Sequence, residues 1–323
     1  MKVALITNRD SFENHSKWND TGWELIHIGD SFQDSQKVIA TGADVIVVGA
    51  GTKIGADIIE NMPQLKLIHS QGVAFNAIDH ECAKNAKIYV CNNAGVNARP
   101  VAEQTILLIL ALLKEFRYNE DMVLNGRQQE AQQAALINGN LELGECSVGI
   151  VGFGAIGKEL ATLLRPFGCE LFYYDLLGDS GKNIASYLPL EDLLARCDII
   201  SLHAPVTSST INMINEKTLE TFKTGAILVN MARGELVDNI AVVNALKSGK
   251  LNGFGADTIA PEPVSLDNPI LKDLPIALRR KIALSPHIAG INAAMLAHAY
   301  VRIRQNIEAL SCGQRPNCIV NDL

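Results

Sequence analysis

The chain has 323 residues, which is enough for two domains of ordinary size. Hydrophobic residues make up 48% and charged residues 20%, a composition typical of a soluble globular protein with sizeable cores. The formal net charge is −7, which argues against nucleic acid as the main partner because nucleic-acid binding needs a basic surface.

The sequence indicates neither a membrane segment nor a metal site. The longest apolar run, Thr105 to Leu113, has nine residues, whereas a membrane-spanning helix needs about 20. The first residues turn polar at Thr7, so they predict a strand and not a signal peptide. Seven cysteines without a C-x-x-C pair favour reduced thiols in a cytoplasmic protein.

Short apolar runs alternate with segments of helical spacing in the first third of the chain, such as residues 55–61 and 78–85. Alternation of this kind predicts βαβ units and a parallel sheet. The predicted strands are residues 3–7, 23–28, 43–48, 65–70 and 87–91.

Residues 101–118 break this alternation. They follow Pro100, which suits the first turn of a helix, and they are apolar on nearly every side. We therefore expect one helix, buried between larger elements, whose apolar surface favours a homodimer. The polar stretch 125–140 that follows predicts a connection at the surface.

A second alternating series begins at Ser147, so the chain predicts an α/β fold with two parallel-sheet domains. The strands predicted in this series are residues 148–151, 171–174, 198–203, 226–231, 253–257 and 282–285.

The first strand of this series leads into a G-x-G-x-x-G turn formed by Gly152, Gly154 and Gly157. An amphipathic helix follows the turn, and the next strand ends in Asp175, 18 residues after Gly157. Together these features form the dinucleotide-binding fingerprint, in which the helix N-terminus attracts the pyrophosphate. Asp175 can accept hydrogen bonds from the ribose hydroxyls and would repel a 2′-phosphate, and no cation follows it before Lys182. The sequence therefore favours NAD over NADP.

Three charged residues follow three later strands. Arg233 comes after the strand 226–231, Glu262 after the strand 253–257, and His287 after the strand 282–285. Ligands gather at the carboxyl ends of strands in an open α/β sheet, so these side chains are expected on the cofactor side.

At this point the sequence resembles the D-isomer-specific 2-hydroxyacid dehydrogenases. The matching segments extend from Leu65 to Asn321 and include the glycine turn, Asn97 with Val101-Ala102-Glu103, and Leu202-His203-Ala204-Pro205. They also include residues 230–238, Pro261-Glu262-Pro263 and Ser285-Pro286-His287-Ile288-Ala289-Gly290.

The resemblance implies a role for each of the three charged residues. Arg233 would bind the substrate carboxylate and its adjacent carbonyl oxygen, and His287 would be the general acid–base. Glu262 would hydrogen-bond the other ring nitrogen of His287, where its charge favours the protonated ring. The substrate would be a 2-oxo acid or a 2-hydroxy acid.

The family fold implies two Rossmann-like or flavodoxin-like domains with the substrate in a cleft between them. Residues 1–98 plus 292–323 would form the substrate-binding domain, and residues 99–291 the NAD-binding domain. In the first, the segment Ser70, Gly72 and Val73 would bind substrate. The implied cofactor contacts are Gly152, Phe153, Gly154, Ala155, Ile156, Gly157, Asp175, His203, Pro205, Thr105, Ala232, Asp257 and Gly290.

The chain departs from the family pattern at the substrate loop and near the phosphate subsite. Ala74 stands where many members have a second glycine, and Asn76 where aspartate is frequent. Members specific for 3-phosphoglycerate carry arginines near residues 48–51, whereas this chain offers only Lys53 and Arg99 nearby. We therefore expect a keto acid with an uncharged side chain.

Two other functions share this fold. One is a non-catalytic NAD-sensing binding protein, against which the complete Arg233, Glu262 and His287 set argues. The other is oxidation of formate or phosphite, but formate-type members are longer and carry glutamine in place of Glu262.

Overall fold

A computed structural model describes residues 1–29, 34–49, 51–179, 181 and 183–323. The chain divides into two compact units. The first unit is Met1–Asn97 with Ile291–Leu323, and the second unit is Ala98–Gly290. These boundaries differ by one residue from the predicted ones.

The first unit is built on a parallel five-stranded sheet of order β2-β1-β3-β4-β5. Its strands are β1 (Lys2–Ile6), β2 (Glu24–His27), β3 (Val45–Val48), β4 (Leu67–Ser70) and β5 (Tyr89–Cys91). Its helices are α1 (Arg9–His15), α2 (Ser35–Ile39), α3 (Ala56–Ile59), α4 (His80–Asn85) and the C-terminal helix Ala293–Ser311.

Both faces of this sheet are buried under helices, and successive side chains of each strand alternate between the two faces. On one face, Val3 and Leu5 pack against Tyr300 and Ile303 of the C-terminal helix. On the other face, residues such as Ile46 pack against the helices that connect the strands. Continuous apolar strands are the expected result of covering a parallel sheet on both sides.

His69 ties the C-terminal helix to β4. Its Nδ1 lies 2.8 Å from the Ser70 carbonyl oxygen, and its Nε2 lies 3.0 Å from Nδ2 of Asn306. A carbonyl only accepts and an amide nitrogen only donates, so Nδ1 carries the proton. Burial lowers the pKa of His69 to about 4, and the ring is therefore neutral at pH 7.

The second unit contains a parallel seven-stranded sheet of order β12-β11-β10-β9-β6-β7-β8. Its strands are β6 (Ser147–Val151), β7 (Glu170–Tyr174), β8 (Ser186–Tyr187), β9 (Ile199–Leu202), β10 (Ala226–Asn230), β11 (Leu251–Ala256) and β12 (Ile282–Leu284). The strand order reverses between β6 and β9. Open α/β sheets bind their ligands in the crevice at such a switch point.

The helices of the second unit are α5 (Ala98–Leu113), α6 (Phe116–Leu124), α7 (Gln128–Asn138), α8 (Ala155–Leu164), α9 (Leu190–Arg196), α10 (Glu216–Thr221), α11 (Asn239–Ser248) and α12 (Pro269–Lys272). Short 3₁₀ segments occupy residues 143–145, 165–167, 234–236 and 276–281.

The prediction of one helix over residues 101–118 is wrong. The chain turns at Glu115, which has a left-handed φ of +45°, and α6 begins at the next residue. Nor is α5 buried on every side, because Leu107 is exposed. Its buried face packs on β11, where Gly253 and Gly255 leave room for Leu112 and Leu108.

The polar stretch 125–140 lies mostly at the surface, as predicted, but much of it is helical. Its central part forms α7, in which glutamine and alanine have high helix propensity and Ala131 is buried. Within the ranges that the structure describes, no helix is both long enough and apolar enough to span a membrane.

Candidate active site

The glycine turn lies between β6 and α8. Gly152 has a φ of +92°, and a Cβ there would lie 2.7 Å from the carbonyl carbon of His203. A Cβ on Gly157 would overlap the carbonyl oxygen of Gly152. Gly154 is exposed and has no atom within 4 Å of the place that a Cβ would take. Two glycines thus shape the turn, and the third leaves space for a ligand against the backbone.

The N-terminus of α8 is open to an anion. Among the described residues, the first backbone hydrogen bond of this helix runs from the Lys158 N–H to the Gly154 carbonyl oxygen, at 3.0 Å. Ala155 and Ile156, both predicted cofactor contacts, therefore keep backbone N–H groups that can bind phosphate oxygens.

Phe153 does not present its side chain to a ligand. The ring is buried and stacks on Tyr173, with a distance of 3.9 Å between ring centroids. Its N–H donates to Oδ2 of Asp175 at 2.7 Å. The glycine turn that precedes α8 thus fixes the Asp175 carboxylate. The buried position of the Phe153 ring gives no support to the predicted contact of this residue with the cofactor.

The Asp175 carboxylate also accepts a hydrogen bond from the Leu177 N–H through Oδ1, at 2.9 Å. Each oxygen therefore takes one backbone donor and retains a lone pair for a ribose hydroxyl. No ion pair to Asp175 forms among the residues whose positions are described, and Lys182 lies outside them.

His203 faces the glycine turn with an unsatisfied nitrogen. Its Nε2 lies 2.8 Å from the Ser201 hydroxyl, whereas its buried Nδ1 has no partner in the described part of the chain. A bound cofactor can satisfy such an atom, so this site fits a dinucleotide. Burial lowers the pKa of His203 to about 3, which makes the ring neutral at pH 7 and unsuitable as a proton donor.

The remaining predicted cofactor contacts differ in exposure. Thr105 is fully buried, and its hydroxyl donates to the Val101 carbonyl oxygen at 2.7 Å, so it is turned toward its own helix. Ala232 is buried, Pro205 is exposed, and Gly290 is half-buried at the end of the second unit.

The predicted catalytic residues follow neighbouring strands in register. Asn230, Ala256 and Leu284 are register partners at the ends of β10, β11 and β12. Arg233, Glu262 and His287 follow these strand ends, so their loops leave the same edge of the sheet.

His287 and Glu262 form a pair. Nδ1 of His287 lies 3.0 Å from Oε2 of Glu262, and the two side chains are 46% and 42% exposed. Nε2 of His287 has no hydrogen bond or ion pair among the residues described here, so this nitrogen is available to a substrate. The pair can therefore hold a proton and transfer it at Nε2 of His287.

The backbone around Arg233 is fixed by Asn230, whose Nδ2 donates to the Arg233 carbonyl oxygen at 2.8 Å. The guanidinium donates to the Ala232 carbonyl oxygen at 2.7 Å, and it forms no ion pair within the described ranges. Gly234 abuts the Ile259–Ala260 backbone so closely that a Cβ would overlap it. This approach brings the Arg233 loop against the segment that leads to Glu262.

Asp257 was predicted to contact the cofactor, but it lies buried and its carboxylate binds protein donors. The resemblance to the family implied this contact, and the sequence carries no local signal for the protein donors that the carboxylate binds.

The predicted substrate segment lies in the first unit after β4. The Ser70 hydroxyl donates to the Ala74 carbonyl oxygen at 2.6 Å and accepts from the Gly72 N–H at 3.3 Å. Asn92, which the sequence analysis overlooked, donates to the Val73 carbonyl oxygen at 2.7 Å. The Val73 N–H has no partner in the described part of this unit, so it is available to an anion.

Comparison with known proteins now identifies the family. Residues 106–289, more than half of the chain, match the NAD-binding domain of the D-isomer specific 2-hydroxyacid dehydrogenases. The chain belongs to this family. This 2-hydroxyacid dehydrogenase is 31% identical to a glyoxylate reductase of Korarchaeum cryptofilum, over 99% of this chain and 96% of that protein.

Two further relatives cover most of the dehydrogenase. It is 34% identical to a hydroxypyruvate reductase of Thermotoga maritima, over 81% of this chain and 82% of that protein. The structure of a D-2-hydroxyisocaproate dehydrogenase superimposes with a TM-score of 0.87 at 29% identity, covering 99% of this chain and all of that chain. The protein is an NAD-dependent oxidoreductase, and its second unit carries the NAD-binding domain.

The Asp175 carboxylate generates a prediction about the cofactor. The dehydrogenase should prefer NADH over NADPH by about 10- to 100-fold in kcat/KM, because a 2′-phosphate would meet a carboxylate at a cost of roughly 1–3 kcal/mol. Steady-state rates with both cofactors measure this ratio. Asp175→Asn, which keeps the shape and removes the charge, should narrow it. An equal or higher kcat/KM with NADPH in the unmodified enzyme would contradict this role of Asp175.

Proposed function

We propose that this dehydrogenase reduces small 2-oxo acids with uncharged side chains to D-2-hydroxy acids, using NADH. The observation that carries the proposal is the His287–Glu262 pair on loops adjacent to that of Arg233. The names of the relatives suggest glyoxylate and hydroxypyruvate as the first substrates to test.

In this mechanism Arg233 binds the substrate carboxylate and the adjacent carbonyl oxygen. Its guanidinium uses one donor on the Ala232 carbonyl, which leaves others for a fork-like contact with the substrate. NADH, when bound, supplies the hydride that C2 receives. As negative charge grows on the carbonyl oxygen, Arg233 stabilises it and Nε2 of His287 delivers a proton.

Glu262 positions His287 in this scheme. By accepting from Nδ1 it orients the ring so that Nε2 points away from the pair. Its carboxylate also lies 3.0 Å from Nδ1, on the side of the ring opposite the nitrogen that transfers the proton. In the oxidative direction the neutral ring would take the proton from the 2-hydroxyl group.

The choice of His287 over His203 as proton donor rests on their surroundings. His203 is held neutral by burial, with a pKa of about 3, and its Nε2 is occupied by Ser201. His287 is half-exposed and carries a carboxylate partner, and its Nε2 has no partner among the described residues. Only the second arrangement suits proton transfer to a substrate at neutral pH.

Ser70, Gly72 and Val73 of the first unit are the further substrate-binding residues in this proposal. The Val73 N–H is unoccupied among the described residues, and Ser70 and Asn92 hold the segment in one conformation. Backbone N–H groups fixed in this way are suitable carboxylate donors.

The alternative substrate 3-phosphoglycerate is less well supported. Arg99, one of two cations considered for its phosphate, forms ion pairs with Glu103 at 2.8 Å and Glu159 at 3.0 Å. A guanidinium that is already paired twice is a poor ligand for a dianion. A non-catalytic NAD sensor would not need the His287–Glu262 pair beside Arg233, so this alternative is also less well supported.

A cytoplasmic homodimer completes the proposal. Large apolar side chains are exposed on α6 and α7, and two of them, Leu136 and Ile137, are 86% and 84% exposed. The others are Phe116, Val123 and Leu124. A second copy of the chain would cover this surface, and free cysteines in the described residues suit a reducing compartment.

His287→Ala should lower kcat for a 2-oxo acid by 10²- to 10⁴-fold, because general acid catalysis is lost. The dissociation constant of NADH, measured by fluorescence titration, should hardly change because the glycine turn and Asp175 remain. A variant whose rate stays within tenfold of the unmodified enzyme would show that the proton comes from another group, with His80 the next to test.

Glu262→Gln should act differently from His287→Ala. Glutamine can keep a hydrogen bond to the ring, so the ring stays oriented, but it lacks the charge of the carboxylate. The loss of kcat should therefore be measurable but smaller than that of His287→Ala, in which the proton donor is gone. The measurement is kcat of the two variants and the unmodified enzyme with one 2-oxo acid, and a Glu262→Gln rate equal to that of the unmodified enzyme would be inconsistent with this role of Glu262.

The homodimer predicts a mass of twice 34.9 kDa in solution at micromolar concentration, measured by light scattering. Introducing a charge at the proposed interface, as in Leu136→Glu, should shift the mass toward that of one chain. A single-chain mass for the unmodified protein would refute the dimer.

A further inference from the structure

The substrate segment of the first unit lies beside the end of a neighbouring strand. His69 of β4 and Cys91 of β5 are register partners in the parallel sheet, so the chain leaves both strands at the same edge. Two residues further along each chain segment, Gln71 and Asn93 therefore lie next to each other. Asn93 is fully buried, and its polar side chain must find its partners within the protein.

Asn93 donates to successive carbonyl oxygens of this segment. Its backbone N–H donates to the Gly72 carbonyl oxygen at 2.9 Å, and its Nδ2 donates to the Gln71 carbonyl oxygen at 3.0 Å. Nδ2 also lies 3.4 Å from the Ser70 carbonyl oxygen. Among the described residues, no other group donates to the Gln71 carbonyl. The orientation of the peptide group between residues 71 and 72 therefore depends on the Asn93 side chain.

The contacts to the carbonyls determine where the N–H groups of the segment point. In a planar trans peptide group the N–H points opposite to the carbonyl that precedes it. The carbonyls of residues 71–73 face Asn92 and Asn93, so the N–H groups of residues 72–74 are directed to the other side. The first of these N–H groups has a 3.3 Å contact with the Ser70 hydroxyl, and the other two have no partner in the described part of the chain. Successive N–H groups that point to one side are suited to a carboxylate.

The fit of the Asn93 side chain in the interior does not explain its presence. Its Oδ1 is buried and has no partner among the residues that the structure describes. A buried acceptor without a donor lowers the stability of a fold. An apolar side chain at this position would avoid that cost, but it would leave the Gln71 carbonyl without a donor. The contribution of Asn93 is therefore the support of the substrate segment.

We propose that Asn93 is a positioning residue, which holds the segment 70–74 so that its N–H groups bind the substrate carboxylate. The proposal rests on the proposed function, because it assigns this segment to the substrate. Asn93 contacts the carbonyl side of the segment and takes no part in hydride or proton transfer. A carboxylate contact is kept from substrate to transition state, so weakening it should raise KM and leave kcat nearly unchanged.

The test is Asn93→Ala, with Asn321→Ala as a matched control. Asn321 is also buried in the first unit, where its Nδ2 donates to the Ile88 carbonyl oxygen at 2.8 Å and its Oδ1 accepts from the Val90 N–H at 3.0 Å. Both variants thus remove an uncharged, buried amide that binds backbone groups. Asn321 makes no hydrogen bond to residues 70–74 in the described part of the chain. The control therefore reports the effect of such a loss on the fold alone.

The probe is oxamate, whose carboxylate stands beside an amide carbonyl that NADH does not reduce. Asn93→Ala should raise the dissociation constant of oxamate by about 10-fold, which is the scale of one hydrogen bond to a charged group. The measurement is titration calorimetry with saturating NADH. KM for a 2-oxo acid should rise by a similar factor, while kcat and the dissociation constant of NADH stay within about threefold. Asn321→Ala should leave all four quantities within about threefold of the unmodified enzyme.

Amide exchange gives a readout that needs neither substrate nor turnover. In Asn93→Ala a peptide covering residues 70–76 should exchange faster, because the peptide group after Gln71 has lost its donor. If Asn93→Ala does not fold, Asn93→Ser replaces it, since serine is too short to reach the Gln71 carbonyl but leaves a smaller cavity.

The outcomes separate this proposal from the proposed function. Unchanged exchange in residues 70–76, an unchanged oxamate dissociation constant, or a fall in kcat at unchanged KM would overturn the role of Asn93. An unmodified enzyme that binds no oxamate would overturn it as well, because the carboxylate site would be absent. If the unmodified enzyme binds oxamate more tightly than Asn93→Ala does but reduces no 2-oxo acid, the proposed function alone is refuted.

Discussion

The proposed active site depends on the register of three parallel strands. Because β10, β11 and β12 end level with one another, the loops that follow them leave the sheet side by side. Hydrogen bonds between parallel strands fix this spacing far more firmly than loop contacts alone would. A guanidinium, a carboxylate and an imidazole thus lie on loops at one sheet edge, and contacts such as that between Glu262 and His287 join two of these loops.

The same sheet positions the NAD-binding turn. The order of strands reverses between β6 and β9, and the glycine turn follows β6 while His203 follows β9. Close packing of Gly152 against the His203 backbone makes this edge compact, and the open N-terminus of α8 supplies donors for phosphate. Binding of the dinucleotide and proton transfer are therefore arranged by one structural element, the carboxyl edge of a single sheet.

Much of this arrangement was predictable from sequence because each part has a local signal. Apolar runs identified every strand except β8, which has only two residues and too little pattern to detect. The glycine spacing identified the turn, and charged residues after apolar runs made Arg233, Glu262 and His287 candidates. The resemblance to the family assigned their roles.

The features that the sequence did not predict have two physical causes. The turn at Glu115 and the helix α7 depend on local backbone conformation where no apolar pattern limits the alternatives, and other features depend on contacts between distant residues. Phe153 and Asp257 were expected to contact the cofactor. The Phe153 ring stacks on Tyr173 and the Asp257 carboxylate accepts hydrogen bonds from the segment around His287, and sequence spacing carries no information about such protein partners.

The measurement that tests the central claim most directly is the configuration of the product. The enzyme would be incubated with hydroxypyruvate and NADH, and the glycerate formed would be separated by chiral chromatography. If Arg233 and His287 hold the substrate as proposed in this D-isomer specific family, the product is D-glycerate alone, formed in step with NADH oxidation. Formation of L-glycerate, or no oxidation of NADH with any small 2-oxo acid, would contradict the account.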